Sequence, residues 1–201
     1  MDVFDYLDEI IPNPKCELNY SKDHEFLIAV CLSAQTTDKK VNIVTKELFK
    51  KYDSIEKLAY ADIDDIKKII RPLGTFNKKA VFVKEIAFNV LKLYNGIVPK
   101  DQNALEQLPG VGHKTAGLVL GTLYNIPEFP VDTHVYRVSK RLGYSEYCDD
   151  ISKTEEKLKQ AIPKDRWMRT HHQFVLFGRY FCKAHNPLCD DCKLKNICRR
   201  I

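Results

Sequence analysis

The chain has no long apolar run. Nothing in it approaches the ~20 consecutive apolar residues that a bilayer-spanning helix needs. No stretch alternates apolar and polar residues for long, so no strand is predicted. Repeats, low-complexity tracts and long linkers are also missing. The first ten residues, MDVFDYLDEI, are acidic and amphipathic, the opposite of a secretion or transit signal. These absences predict an intracellular, cytoplasmic protein that engages no membrane.

What is present is enough for a packed core. The 201 residues are 44% hydrophobic and 29% charged, a balance that fits one or two globular domains rather than disorder. The net charge of +5 is compatible with a polyanionic partner but is weak support for one. Apolar residues recur at helical spacing: Val3, Tyr6, Leu7 and Ile10, then Phe26, Leu27, Val30 and Cys31, then Val41, Val44 and Leu48. Val83, Ile86, Ala87, Val90, Leu91 and Tyr94 continue the pattern. Asp53 and Glu56 read as a capping box. Proline and glycine punctuate the chain often enough to predict about ten short helices, an all-α fold.

One break stands apart. LPGVGHKTA, residues 108–116, places Pro109-Gly110-Val111-Gly112 between a short helix expected over 103–108 and a longer one over His113–Tyr124. The glycines permit positive φ and close backbone approach. The second helix then offers unpaired N–H groups and the positive end of its dipole, which suits a phosphate. Spacing and the lack of a preceding strand exclude a nucleotide triphosphatase phosphate loop. Lys114 sits in the first turn, where the dipole disfavours a cation. Together with partial burial, that placement favours a neutral, nucleophilic amine. The same stretch also reads as an ordinary turn followed by a surface lysine.

A second cluster, FPVDTHVYRVSKRLG, spans residues 129–143. Asp132 is a natural N-cap, with Val131 and Tyr136 placed for a hydrophobic staple. Arg137, Lys140 and Arg141 read as a solvated basic face. The third cluster is Cys182-x6-Cys189-x2-Cys192-x5-Cys198. An odd total of seven cysteines points to a metal site rather than a disulfide framework. Four thiolates can hold zinc or a four-iron, four-sulfur cluster, and spacing alone accommodates either. Lys183, Lys193, Lys195, Arg199 and Arg200 surround them, placed to offset thiolate charge or meet phosphate. Cys16, Cys31 and Cys148 read as reduced, mostly buried small side chains.

Together, the hairpin, the VDTHVYRV segment, the cysteine tail and FLIAVCLSAQTTD (26–38) resemble the helix-hairpin-helix DNA glycosylases, and among them the endonuclease III family. The resemblance runs from about residue 17 to 198. It implies an all-α fold of two helical lobes around a DNA-binding cleft. A six-helix domain would span 16–126, and residues 1–15 plus 127–201 would form the second lobe. It favours a 4Fe-4S cluster over zinc, mainly structural, on Cys182, Cys189, Cys192 and Cys198. It implies a base-excision repair enzyme that removes oxidised pyrimidines. Lys114 would attack the sugar, Asp132 would assist, and β-elimination would cleave the strand. Gly110, Val111 and Gly112 would grip a phosphate, with a monovalent cation held at the hairpin. Gln35 would fill the hole left by a flipped base, and Lys183 would meet backbone phosphate. Thr75 stands where many relatives carry a bulky apolar wedge, and His113 where an arginine is frequent. The cysteine loop KAHNPL is less basic than in well-known relatives. The partner would be double-stranded DNA with damaged bases or abasic sites, bound by a monomer. From a different class, a non-enzymatic DNA-binding module with a structural zinc fits the hairpin and cysteines alone.

Overall fold

The computed structural model describes residues 2–199 and is all-α, with eleven α-helices and no strand among them. They are α1 Val3–Ile10, α2 Asp23–Leu32, α3 Asp38–Lys51, α4 Ile55–Ala59, α5 Ile63–Ile70, α6 Phe76–Tyr94, α7 Gln102–Glu106, α8 His113–Tyr124, α9 Thr133–Arg141, α10 Ile151–Ala161 and α11 Trp167–Tyr180. The chain divides into two compact units, one of Met1–Cys16 with Ile126–Ile201 and one of Glu17–Asn125. No helix among the described residues is long and apolar enough to cross a membrane.

The Glu17–Asn125 unit is built around α2. Its sequence DHEFLIAVCL has no polar stripe, and every residue from His24 to Leu32 is buried. The pattern of Phe26, Leu27, Val30 and Cys31 suggests one buried face, but a helix apolar all round is enclosed on every side. Helices α3, α6 and α8 pack against it with Val41, Leu48, Val83, Ile86, Ala116 and Leu120 buried. The expected capping box at Asp53 and Glu56 is not formed, because the N-cap falls one residue later. Ser54 is the N-cap of α4, accepting from Lys57 N at 3.2 Å, while Asp53 pairs with the Lys57 ammonium. Asn95 and Asn125 end α6 and α8 in the left-handed conformation that asparagine tolerates.

In the other unit α1 returns to the C-terminal half. Tyr6 and Leu7 join Phe129, Val135, Val138, Leu158, Phe174 and Phe177 in one core. Val131 is buried in that core, and Tyr136 is half-buried against the same core. Asp8 ties α1 to α11. Burial opposes its ionisation, but hydrogen bonds from Arg166, Arg169 and Gln173 outweigh that and hold the carboxyl down at about 2.

Candidate active site

The hairpin lies in the Glu17–Asn125 unit and explains its own glycines. Val111 N donates to Leu108 O at 3.0 Å, closing the turn after α7. Gly110 has φ +79°, and a Cβ there would lie 2.5 Å from the Phe82 ring of α6. Backbone and packing both require glycine. Gly112 differs: it is extended, caps α8 with its backbone, and has nothing within 4 Å of where a Cβ would stand. No side chain caps α8, so the first amides of the helix and the positive end of its dipole are left without a side-chain acceptor. We expect Gly110→Ala to destabilise the chain by roughly 2 kcal/mol or more, seen as a lowered melting temperature. Gly112→Ala should melt with the parent yet bind abasic-site duplex less well, because its methyl enters the space a phosphate would use.

Lys114 is exposed in the first turn of α8. The partial burial expected of it is not found, so the helix dipole alone disfavours a cation there. Cys31 of α2 lies nearby. Burial pushes that thiol up to about 12, with the charge of Lys114 pulling the other way. Cys31 is therefore a protonated core thiol and no rival nucleophile. His113 precedes Lys114 and faces back into the hairpin. Its Nδ1–H donates to Glu106 Oε1 at 3.0 Å, and Gln102 Nε2 donates to the His113 carbonyl at 3.2 Å. Hydrogen bonds from Gln102 and then His113 keep the Glu106 carboxyl below its usual range. His113 thus ties α7 to α8.

Gln35 and Thr75 are both exposed and both left-handed, with φ 56° and 43°. For a β-branched threonine this is an outlier that the surrounding structure has to enforce. Their loops share a partner, buried Lys79, which no sequence motif marked.

Asp132 lies in the other unit and is half-buried. Its Oδ1 accepts from His134 N and Val135 N, both at 2.8 Å, making it the expected N-cap of α9 and leaving Oδ2 clear of the cap. Behind it, buried His171 donates its Nδ1–H to Pro130 O at 2.8 Å. The carbonyl can only accept, so that nitrogen carries the proton. Burial pushes His134 below its ordinary range, in keeping with Arg137 Nη2 donating to its Nδ1 at 3.2 Å.

The four cysteines of the tail line one cavity of about 540 Å³, together with Tyr6, Leu142, Phe177 and Phe181. Among the described residues no three His, Cys, Asp or Glu side chains converge as a single-ion site. Burial, and then the neighbouring Cys182 and Cys198, raise the Cys192 thiol, while the Leu194 amide lowers it. Arg137, Lys140 and Arg141 are not the solvated face expected. Lys140 is buried and donates to Tyr147 O and Asp149 O. Arg141 Nη1 reaches Cys182 Sγ at 3.3 Å and Lys183 O at 2.8 Å, and Arg137 Nε reaches Cys182 O at 3.2 Å. The start of the cysteine loop, at Cys182 and Lys183, is therefore pinned to α9, a role no residue spacing announces. Lys183 is exposed beside it. Lys193 pairs with Glu9 and Arg199 with Glu146, so both are spent within the fold, while Arg200 lies outside the described residues. Of the remaining cysteines only Cys31 is buried; Cys16 is half-buried and Cys148 exposed.

Known proteins resemble this chain along nearly its whole length. Residues 28–164 match the model of the HhH-GPD superfamily base excision DNA repair proteins. Endonuclease III of Bacillus subtilis is 40% identical over 97% of this chain and 89% of its own length. A solved non-covalent endonuclease III–DNA complex superposes with a TM-score of 0.93 at 42% identity, covering 97% of this chain and 91% of that one. A trapped endonuclease III–DNA covalent intermediate gives the same TM-score and identity, covering 92% of that chain. The chain belongs to the HhH-GPD superfamily of base excision DNA repair proteins and, within it, to the endonuclease III family.

Proposed function

We propose that this chain is a bifunctional DNA N-glycosylase and abasic-site lyase that removes oxidised pyrimidines from duplex DNA. The observation that carries the reading is Lys114: an exposed amine in the first turn of a helix that no side chain caps. A stability-driven sequence would not put a cation there. Its nitrogen attacks C1′ as the C1′–base bond breaks, giving an iminium once the sugar ring opens. The iminium acidifies C2′; loss of that proton expels the 3′ phosphate and cuts the strand. Asp132 receives the proton released by Lys114 and stabilises positive charge on the sugar. The hairpin at Gly110, Val111 and Gly112 grips phosphate through backbone amides, which is indifferent to sequence. Its carbonyls would hold a monovalent cation, as the family resemblance implies. Gln35 and Thr75 support the duplex where the base has left it, and extrusion is easiest for a poorly stacked damaged base. Lys183 meets the backbone. The chain works as a monomer on intracellular DNA.

The cysteine cavity fits a 4Fe-4S cluster better than zinc. A single zinc draws its thiolates in to about 2.3 Å from one point; among the described residues no three donors converge in that way, yet all four cysteines line one cavity. Cys182, Cys189, Cys192 and Cys198 would hold the cluster, which would order the loop between them and take no part in the base chemistry. Purified protein should be yellow-brown, with broad visible absorption that Cys192→Ser diminishes. A colourless, zinc-loaded preparation that fails to cut abasic sites would instead support the binding module.

The functional test is incision of duplexes carrying thymine glycol, dihydrouracil, uracil, 8-oxoguanine or an abasic site, each opposite all four bases. Thymine glycol, dihydrouracil and abasic sites should be cut. Activity confined to uracil would sink the assignment. Weak discrimination among opposite bases is expected, because Thr75 offers less apolar bulk than a leucine-sized wedge.

A further inference from the structure

Lys79 is a buried lysine near the start of α6, with only 5% of its surface exposed. Burial alone pushes its ammonium below the ordinary lysine range. Among the described residues it pairs with no carboxylate. It donates instead to two backbone carbonyls, Ala34 O at 2.8 Å and Leu73 O at 3.1 Å. These acceptors lie in two separate connections, Ala34 between α2 and α3 and Leu73 at the end of the short 3-10 turn between α5 and α6. Ala34 immediately precedes Gln35, and Leu73 is followed by Gly74 and Thr75. Gln35, Gly74 and Thr75 all have positive φ, at 56°, 68° and 43°. One ammonium thus holds the peptides leading into two exposed side chains, each on a backbone that costs free energy to maintain. A neutral buried side chain would fill this space without a desolvated charge. An apolar one, such as methionine, could donate to neither loop.

We propose that Lys79 is a positioning residue that locks the Gln35 and Thr75 loops in one arrangement, so that both side chains enter the duplex together. The inference rests on the reading of Gln35 and Thr75 as duplex contacts. It assigns Lys79 no contact with DNA and no part in the covalent chemistry.

The test compares two substrates on the full-length protein. One is a duplex with thymine glycol, where a base has to be extruded from the stack. The other is a single-stranded abasic oligonucleotide, where the Lys114 amine meets an aldehyde with no stack to open. Lys79→Met should lower single-turnover incision of the duplex on the order of 10- to 100-fold, the range that misplacing a positioned group costs. Borohydride trapping on the single strand should stay at the parent level. Lys79→Arg, which keeps donors for both carbonyls, should recover most of the duplex activity. Equal losses on both substrates, or none, would overturn the proposal. The double variant Gln35→Ala/Thr75→Ala separates the two layers. If it shows no duplex-selective loss, the contact reading fails and the role of Lys79 with it. If it shows the loss and Lys79→Met does not, only the Lys79 inference fails. With both true, adding Lys79→Met to the double variant should lower the duplex rate little further, because both changes act through the same loops.

Discussion

Lys114→Gln should bind an abasic-site duplex as the parent does, yet yield no borohydride-stable adduct and lose strand incision by at least about 10³-fold, as removal of a covalent nucleophile does elsewhere. The fold has little stake in this side chain. Lys114 is exposed, and α8 draws its packing from Ala116, Val119 and Leu120. Removing a cation from the positive end of the helix should raise stability by about 0.3–1 kcal/mol if it changes it at all. A variant that melts no lower, binds DNA and cannot be trapped would separate chemistry from folding. Persistence of the adduct would move the nucleophile to another amine. The expected gain in stability is itself informative, since residues kept against local preference gather at working sites.

The residues that were legible in advance share a property: their physics is local. His113–Tyr124 follows directly from the glycine turn and the apolar positions after it. Asp132 caps α9 because aspartate before a helix accepts its first amides. Four cysteines within seventeen residues have few other uses. What stayed hidden depends on tertiary partners. A lysine in a chain does not announce which carbonyl it will meet, so Lys79 and Lys140 look like surface charges until the loops that cover them are placed. Arg137 and Arg141 carry helical spacing on a basic face but spend it on Cys182. Gln35 and Thr75 adopt positive φ with neither glycine nor asparagine at those positions, so although Pro72 and Gly74 announce a turn before Thr75, nothing marks these two residues as left-handed. Ser54 rather than Asp53 caps α4 because either residue satisfies the pattern and only the chain path chooses between them.

On the proposed reading Asp132 carries two duties on one carboxylate, the observed helix cap and the proton acceptor, and two substitutions should pull them apart. Asparagine caps helices about as well as aspartate, and the cap here uses Oδ1 alone, accepting from His134 N and Val135 N. Asp132→Asn should therefore melt with the parent. It removes the negative charge and the proton-accepting oxygen, so base release should fall roughly 10²- to 10⁴-fold, the usual share of a positioned acid–base group. Asp132→Ala should show the same loss of rate and, in addition, lose about 1 kcal/mol of stability with the cap, lowering the melting temperature by about 2–4 °C for a chain of this size. Thermal melts and single-turnover rates on thymine glycol duplex distinguish these outcomes. Full activity in Asp132→Asn would reduce Asp132 to a helix cap, and the acceptor of the Lys114 proton would then have to be water or another carboxylate. The Pro130–His171 hydrogen bond supports the loop in either case. An altered melting temperature in Asp132→Asn would therefore point to the cap geometry itself and not to the loop behind it.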